Sequence, residues 1–258
     1  VTNLVSNTGV VASDTAGVGT ARNNLAACEY GEDKGIFGFG YLVAIDGGTA
    51  ITNKVSNTGV VASDTTGVGT ARSYLAACSY GEDKGIFGFG YSTHSMTNLV
   101  SNAGVVATDT TGVGTGRYNL AACEYGGDKG IFGLGTGGAG LTGVTNLVSN
   151  VGVVATDTAG VGTGREGPTA CSYGYDKGIF GYGDSSGRVS MTNLVSNTGV
   201  VSSDVTGVGT ARTSLAATQY GGDKGIFGFG NPGSVTAVTN LVSNAGVVAS
   251  DVTGVGTA

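Results

Sequence analysis

The sequence predicts an all-β protein built from repeated small antiparallel sheets, and three observations lead to this prediction. Glycine takes 51 of 258 positions and β-branched residues recur throughout, which disfavours helix. No run of good helix formers carries a 3.6-residue period. The phrase TN(L/K)VSN begins six times, at Thr2, Thr52, Thr97, Thr145, Thr192 and Thr239. Because a unit of this size cannot bury both of its faces alone, the copies are expected to pack on one another.

The spacing within the repeat separates a fixed block from variable loops. The lysine of DKGIF stands 32 residues after the threonine in all five copies, at Lys34, Lys84, Lys129, Lys177 and Lys224. All variation in length therefore lies between KGIFGxG and the next TN, and only a loop tolerates such insertions without a shift of register. The predicted loops are 41–51, 91–96, 136–144, 184–191 and 231–238.

Each block contains four strand-like runs, which in the first complete unit are 24–30, 35–40, 54–64 and 66–71. The intervening GEDK is a turn of the Gly/Asp type that closes hairpins. Four short strands per unit are typical of a β-propeller blade, in which a ring of neighbours covers both faces of every sheet. An open solenoid of the same units is the alternative.

The domain organisation predicted is one domain over 1–258, with repeats that begin near 22, 72, 117, 165 and 212. The TN half of the unit occurs six times and the DKGIF half five times, so a half-blade remains at 1–21. Five complete blades plus this half-blade predict a five- or six-bladed ring. Three interpretations of the half-blade stay open: it overlaps the ring, completes a blade in a neighbouring subunit, or marks a chain cut from a longer array.

The repeat resembles the kelch family. The resemblance runs from an arginine that opens a small-residue strand (RSYLAACSY, 72–80), through an apolar strand that ends in glycines (GIFGFGY, 85–91), to a strand that ends in Asp (LVSNAGVVATD, 99–109). It covers nearly the whole chain and implies kelch-like four-stranded blades. Kelch blades usually carry a Trp on the fourth strand, where this chain has TGVGT, so kelch function does not transfer. The amino-acid sequence of the repeat also resembles repeats in structural virion proteins of environmental tailed phages.

Charge and hydropathy exclude two classes of partner. The formal net charge is −6 and no run of Lys or Arg occurs, so the chain lacks the basic face that nucleic-acid binding requires. No apolar run approaches the roughly 18 residues that span a bilayer, so no membrane insertion is predicted. Val1 is followed by no basic or apolar leader, and a signal peptide is therefore expected to be absent or already removed.

The groups that could carry chemistry have simpler structural interpretations. Glu32 and Asp33 would suit an acid/base pair or a cation site, but catalysis has no use for five equivalent copies. His94, the single histidine, is expected to be solvated in a loop. No metal site and no cofactor are predicted. The cysteines share one repeat position and are expected to be small buried free thiols rather than disulfides: Cys28, Cys78, Cys123 and Cys171.

The positions at which the copies differ are the candidate ligand or partner surface. These residues follow the repeated arginine and would gather at one mouth of a central channel: Asn23, Asn24, Ser73, Tyr74, Tyr118, Asn119, Glu166, Thr213 and Ser214. A second variable position comprises Glu29, Ser79, Glu124, Ser172 and Gln219.

The sequence therefore predicts a non-enzymatic structural or binding propeller. Its expected role is a surface-exposed assembly or adhesion component, extracellular or on a virion surface. Its expected partners are further copies of itself, other surface proteins or glycans. A multivalent carbohydrate-binding lectin and a designed or reconstructed repeat protein are the alternatives, and an enzyme centred on His94 is a more distant one.

Overall fold

The structure is a computed structural model that describes residues 2–6, 10–92 and 94–254. The prediction of an all-β fold is confirmed, since the elements over these residues are short antiparallel strands and one 3₁₀ turn at Val43–Ile45. Within the described residues no helix has the length and hydrophobicity to cross a membrane.

Five antiparallel sheets follow one another along the chain. Sheet 1 contains β1 (Ala26–Tyr30) and β2 (Lys34–Gly38), then a small hairpin of β3 (Tyr41–Leu42) and β4 (Gly47–Gly48), and then β5 (Thr52–Val55). Sheet 2 contains β6 (Ala76–Tyr80), β7 (Lys84–Gly90) and β8 (His94–Val100).

Sheets 3 to 5 repeat this order of strands. Sheet 3 and its small side sheet contain β9 (Arg117–Tyr118), β10 (Ala121–Tyr125), β11 (Lys129–Gly133), β12 (Thr136–Gly137), β13 (Gly140–Leu141) and β14 (Thr145–Val148). Sheet 4 contains β15 (Thr169–Tyr173), β16 (Lys177–Asp184) and β17 (Arg188–Val195). Sheet 5 contains β18 (Ala216–Tyr220), β19 (Lys224–Gly228) and β20 (Thr239–Val242).

The predicted third and fourth strands are wrong in their bounds. The sequence predicted strands at 54–64 and 66–71, but β5 ends at Val55 and residues 61–65 return beside it through two bridges, Val55 to Val61 and Thr52 to Thr65. Two local features turn the chain. Ser56 Oγ accepts the Val60 N–H at 3.0 Å, and Gly59 takes a φ of +78°. The fourth element of each sheet is this returning segment, and 66–71 is a loop.

The predicted variable loops are partly strand. The small hairpin of β3 and β4 lies within 41–51, and that of β12 and β13 within 136–144. The hairpins of sheets 2 and 4 instead extend their main strands into 91–96 and 184–191, so that His94 begins β8. Thr93 lies outside the described residues.

The sheets stack face to face, and glycines set the distance between them. A Cβ placed on Gly85 would lie 2.5 Å from Cys28 Sγ of the preceding sheet, and one on Gly38 would lie 2.6 Å from Cζ of Phe87 in the next sheet. Both glycines are therefore required by close approach. Apolar clusters fill the spaces between sheets 1 and 2, 2 and 3, 3 and 4, and 4 and 5, so the core is divided among the interfaces.

A bulge after the second strand directs one large side chain into each interface. Phe39 takes a φ of +62°, and its ring meets Phe87 of sheet 2 edge-on at 5.3 Å between centroids. The Arg72 guanidinium lies 4.2 Å from the centroid of the same Phe39 ring. In sheet 4 the register shifts between Gly181 and Gly183, at the equivalent bulge.

The repeated arginine ties the second and third strands of its sheet to the loop that precedes it. In sheet 2, Arg72 Nε donates to Phe89 O at 2.7 Å, Nη2 to Asn98 Oδ1 at 2.6 Å and Nη1 to Thr70 O at 3.0 Å. Asn98 Nδ2 in turn donates to Asp109 Oδ1 at 2.9 Å. Arg72 therefore bonds to two backbone carbonyls and one side-chain amide of the repeat.

The two ends of the stack have exposed faces. Tyr30, the last residue of β1, is 5% exposed, whereas its counterpart Tyr220 in sheet 5 is 38% exposed. Phe229 is 49% exposed, whereas its counterpart Phe89 is fully buried. Among the described residues before sheet 1, which are 2–6 and 10–21, a third and a fourth segment are bridged from Thr2 to Thr15 and from Val5 to Val11; we call these described residues the half-unit.

Candidate binding surface

The residue two places after each repeated arginine adopts a left-handed backbone conformation. The values of φ are 50° at Asn24, 54° at Tyr74, 51° at Asn119, 57° at Gly167 and 59° at Ser214. Asn and Gly accept this region readily, but Tyr and Ser do so at a cost. The conformation is thus a property of the fold, held at five sites whatever residue occupies them.

This conformation lets successive sheets join through their backbones at one end of the stack. The N–H of Tyr74 donates to the carbonyl of Asn24 at 3.0 Å, and the N–H of Asn119 donates to the carbonyl of Tyr74 at 3.0 Å. The N–H of Gly167 donates to the carbonyl of Asn119 at 2.9 Å, and Thr213 Oγ1 donates to the carbonyl of Gly167 at 3.3 Å. These hydrogen bonds join one residue from each of the five sheets into one row: Asn24, Tyr74, Asn119, Gly167 and Thr213.

The predicted surface residues beside this row differ in accessibility. Tyr74 and Ser214 are exposed, Tyr118 and Glu166 are half-buried, and Ser73 is buried. Ser73 contributes its carbonyl, which accepts the Tyr91 N–H at 2.8 Å. Its side chain is therefore unsuited to contact a ligand.

Asn23 takes part in the sheet rather than in the row of carbonyl contacts. It pairs with Tyr41 of β3, and the two residues exchange N–H to O bonds of 3.1 and 2.8 Å. The side chain of Asn23 is exposed, and its Oδ1 accepts a bond from Asn24 Nδ2 at 3.1 Å.

Three tyrosines form a cluster at this end of the molecule. The ring centroids of Tyr74 and Tyr118 are 6.5 Å apart, those of Tyr74 and Tyr91 are 6.1 Å apart, and those of Tyr91 and Tyr118 are 5.2 Å apart. Tyr91 is 55% exposed and Tyr74 is 38% exposed. Sequence analysis placed Tyr91 in a variable loop but did not assign it to the same surface, because no spacing rule links that loop to the next sheet.

A polar cluster lies beside the tyrosines. Glu166 Oε2 accepts a bond from Thr136 Oγ1 at 2.7 Å and one from Asn119 Nδ2 at 3.2 Å. Aromatic faces beside a carboxylate and an amide offer both stacking and hydrogen bonding to a polyhydroxylated ligand.

A second polar surface lines a cavity of about 200 Å³ to which all five first strands contribute. One repeat position on these strands holds cysteine in sheets 1 to 4 and Thr218 in sheet 5. The cavity walls include the alanine before this position and the variable residue after it: Ala27, Glu29, Ala77, Ser79, Ala122, Glu124, Ala170, Ser172, Ala217 and Gln219. Burial raises the pKa of Glu124 to about 7, and the negative charges of Glu29 and Asp128 add to the rise. Ser172 Oγ donates to the Glu124 carbonyl at 3.2 Å.

The aspartate of the repeated turn is already paired within its own repeat. Asp33 Oδ1 pairs with Lys34, and Asp33 Oδ2 accepts Asn57 Nδ2 at 3.0 Å. The hydrogen bond from Lys34 lowers the pKa of Asp33. Within residues 2–6, 10–92 and 94–254 no group of three or more His, Cys, Asp or Glu side chains has the arrangement of a metal site.

The thiols and the histidine hold structural positions. All four cysteines are free, and burial raises the pKa of the Cys28 thiol to about 12, so this thiol stays protonated at neutral pH. His94 pairs with Gly90 across the hairpin of β7 and β8, an ordinary ladder position.

The comparisons with known proteins found no family model that matches the chain and no significant match among curated proteins. The kelch-like character of the repeat and its likeness to phage structural proteins stay predictions from the sequence.

Proposed function

We propose that this chain is a non-enzymatic scaffold whose sheets are the blades of a β-propeller and whose variable residues bind a partner or ligand. The observation that carries the proposal is the cavity shared by all five first strands, because strands strung along a line cannot all border one space. Four equivalent interfaces between consecutive sheets support the same arrangement. The chain would then occupy five complete blade positions and one half-blade position about a common axis.

Images of the purified chain by electron microscopy would test the arrangement. We expect compact class averages with blades around a central depression and a gap beside the half-unit. A row of sheets without a common centre would refute the propeller.

The absence of catalysis is part of the proposal, and its support is the repetition of the charged groups. Arg72 and Asp109 are engaged with Thr70 and Asn98 in an arrangement that recurs in other sheets, as a structural network does and a single active centre does not. A screen with chromogenic ester, glycoside and phosphate substrates is expected to show no turnover above buffer. Turnover that disappears in His94→Ala would overturn this part.

Carbohydrate binding is the second candidate function, and the tyrosine cluster is the observation that favours it. Exposed rings of Tyr74 and Tyr91 beside the bonded Glu166 carboxylate suit the apolar faces and hydroxyls of sugars. A glycan array with the wild-type chain is expected to give hits that the Tyr74→Ala, Tyr118→Ala double variant loses. Tyr175→Ala is the matched control, because Tyr175 is 75% exposed and, like Tyr74, has a positive φ, but lies in a turn between β15 and β16.

We further propose that the scaffold is displayed outside a cell or on a virion. Its support is the resemblance of the repeat to structural proteins of tailed phages. Immunogold labelling of source material with an antibody to the chain is expected to decorate particle or cell surfaces, and label confined to the cell interior would contradict this placement.

A further inference from the structure

We propose that the tyrosine cluster and the neighbouring carboxylate of Glu166 form a docking site for an arginine side chain presented by a partner protein. The guanidinium would lie against the tyrosine rings and pair with the carboxylate. This inference rests on the proposed binding role of the variable residues and names the chemistry of their partner. It requires neither a closed ring nor glycan binding.

The carboxylate of Glu166 is held in place by two neighbours of Tyr118. Thr136 Oγ1 donates to Glu166 Oε2 at 2.7 Å, and Asn119 Nδ2 donates to the same oxygen at 3.2 Å. Thr136 pairs with Tyr118 across the ladder of β9 and β12, and Asn119 is the next residue of the chain. Within the described residues, no hydrogen bond reaches the other oxygen, Oε1. The carboxylate is therefore oriented beside the tyrosines and keeps one oxygen for a ligand.

A second carboxylate lies directly opposite Glu166 in sheet 4. Glu166 and Asp184 form an antiparallel pair and exchange N–H to O bonds of 3.0 and 2.8 Å. Like charges at directly opposed positions destabilise a sheet. The corresponding pairs of three other sheets are uncharged: Asn23 with Tyr41, Tyr118 with Thr136, and Thr213 with Asn231. Sheet 4 therefore gains most from a cation that comes from outside the chain.

The basic side chains of the chain itself do not balance this negative charge. The aspartate of each repeated turn pairs with the lysine that follows it. Over the part of the chain that the structure describes, neither Glu166 nor Asp184 forms an ion pair with Lys or Arg. Arg188 lies opposite Asp184 in the ladder, but its Nη2 donates to Asn231 Oδ1 at 3.4 Å. The pair of half-buried carboxylates is thus complementary to a positively charged partner.

The tyrosine rings select arginine rather than lysine. Tyr91 and Tyr118 are in edge-to-face contact at 5.2 Å between centroids, so the cluster is a continuous aromatic surface. A planar guanidinium stacks on such a surface while it bonds a carboxylate, whereas an ammonium group has no planar face. The interior of this protein contains the same pairing, since the Arg117 guanidinium lies 4.2 Å from the centroid of the Phe89 ring.

Charge also favours a partner protein over a glycan or a second copy of this chain. A neutral sugar would leave the opposed carboxylates of Glu166 and Asp184 unbalanced, and an acidic sugar would be repelled by them. In a second copy, Arg188 is the one exposed arginine, because the repeated arginines are buried or half-buried in their own sheets. An arginine of a different protein is therefore the fitting occupant.

The test uses the full chain and a fluorophore-labelled peptide, Gly-Ser-Arg-Gly-Arg-Ser-Gly, at low ionic strength. We expect saturable binding with one peptide per chain in fluorescence anisotropy. A peptide with neutral citrulline at both arginine positions should bind about tenfold or more weakly, because the charge-assisted hydrogen bonds are lost. Glu166→Gln, which keeps an acceptor for Thr136 but removes the charge, should weaken binding by a similar factor. The matched control Glu82→Gln changes the net charge equally in an exposed turn at the opposite end of sheet 2 and should leave binding unchanged.

A ring variant tests the aromatic part of the site. Tyr118→Leu keeps an apolar side chain but removes the ring, and it should weaken binding about two- to fivefold. Far-UV circular dichroism checks that all variants retain the wild-type fold.

Four results would each overturn the proposal. They are no saturable binding, equal binding of the arginine and citrulline peptides, equal losses in Glu166→Gln and Glu82→Gln, and dimerisation of the wild-type chain that Arg188→Ala abolishes. Glycan binding that Tyr118→Ala removes and Glu166→Gln leaves intact would also exclude the arginine site, but the proposed binding function would stand. An electron-microscopy result against the propeller would leave these measurements valid, because the site lies within sheets 2 to 4.

Discussion

At five equivalent positions, a bulky residue occupies the left-handed backbone region that L-residues generally avoid. The values of φ lie between 60° and 66° at Phe39, Phe89, Leu134, Tyr182 and Phe229. Each such position costs about 1–2 kcal/mol. At the first four the side chain is buried in an interface, and burial of a large apolar side chain contributes about 1.5–3 kcal/mol, which offsets the strain. Phe229 carries the strain without the burial, since its face has no neighbour.

The arginine network gives a prediction at the residue scale. Arg72→Lys removes the planar fork that reaches Phe89 O, Asn98 and Thr70 at once, and a lysine cannot replace it. We expect the free energy of unfolding to fall by about 2–3 kcal/mol in urea titration. Arg22→Lys is the matched control and should cost less, because Arg22 has no Nε partner within the described residues. Equal losses in both variants would contradict this account.

The pH dependence of stability is also decided by single residues. Because the pKa of Glu124 in the folded chain, about 7, exceeds its ordinary value of 4.5, the folded state favours the protonated form. Its stabilising contribution is complete below pH 4.5 and is lost as the pH rises towards 7.

Glu124→Gln stays neutral and should therefore match the wild type near pH 4. At pH 8 it should be more stable by about 1–2 kcal/mol, a figure reduced for solvent screening of a partly exposed group. Chemical denaturation at both pH values measures the difference. A stability difference that is independent of pH would exclude this role for Glu124.

At the scale of the element, the second strand of sheets 2 to 5 contacts the cysteine of the preceding sheet through a glycine. A Cβ on Gly130 would lie 2.6 Å from Cys78 Sγ, whereas one on Gly35 would have its nearest contact at an ordinary 3.7 Å, with Val55. The same sequence position is therefore constrained inside the stack and unconstrained at its end.

Substitution of these two glycines tests the interface between strands. Gly130→Ala should lower the free energy of unfolding by about 1–3 kcal/mol through overpacking. Adding Cys78→Ala should recover part of that loss, because the alanine leaves room for the new methyl group. Gly35→Ala should change stability by less than about 0.5 kcal/mol. A double-mutant cycle without coupling between positions 78 and 130 would show that the two side chains do not meet.

At the scale of the whole molecule, the outer face of sheet 5 differs from the faces that join consecutive sheets. In the internal interfaces a glycine contacts the Phe ring of the next sheet, and a Cβ on Gly133 would lie 2.7 Å from Phe180 Cζ. A Cβ on Gly228, the corresponding residue of sheet 5, would meet only Thr239 Cγ2, at 3.6 Å. The two ends of the stack therefore do not repeat the internal contact.

Two alanine variants measure this difference in solution. Gly133→Ala should destabilise the chain by about 1–3 kcal/mol, and Gly228→Ala by less than about 0.5 kcal/mol. Thermal and urea unfolding of both variants provide the comparison. A penalty for Gly228→Ala as large as that for Gly133→Ala would contradict this account, because it would mean that sheet 5 packs on Phe37.

Much of the architecture could be predicted from the sequence because it repeats. The constant distance from Thr52 to Lys84 identified a fixed block, and the Gly/Asp turn identified the first hairpin. The third and fourth strands were misplaced because 54–64 has a continuous β-type composition, and only the bonds of Ser56 and the conformation of Gly59 reverse it.

The candidate surface was predicted in part. Comparison of the copies singled out Tyr74, Tyr118 and Asn119. The hydrogen bond from the Asn119 N–H to the Tyr74 carbonyl joins their sheets, and the Tyr74 and Tyr118 rings meet beside it. The contribution of Tyr91 and the bonds of Glu166 depend on contacts between segments far apart in sequence, which no periodicity encodes.

The sequence by itself determined that this protein is a set of like β-sheets with no basic face, since composition, spacing and charge are properties of the chain alone. Tertiary structure decided which face of each sheet is covered. Gly35 and Gly130 occupy equivalent places in the repeat, yet only Gly130 faces a cysteine of a preceding sheet. The physical reason is that identical segments acquire different environments from their neighbours, and among the described residues the sheets at the two ends of the stack lack one complete neighbour.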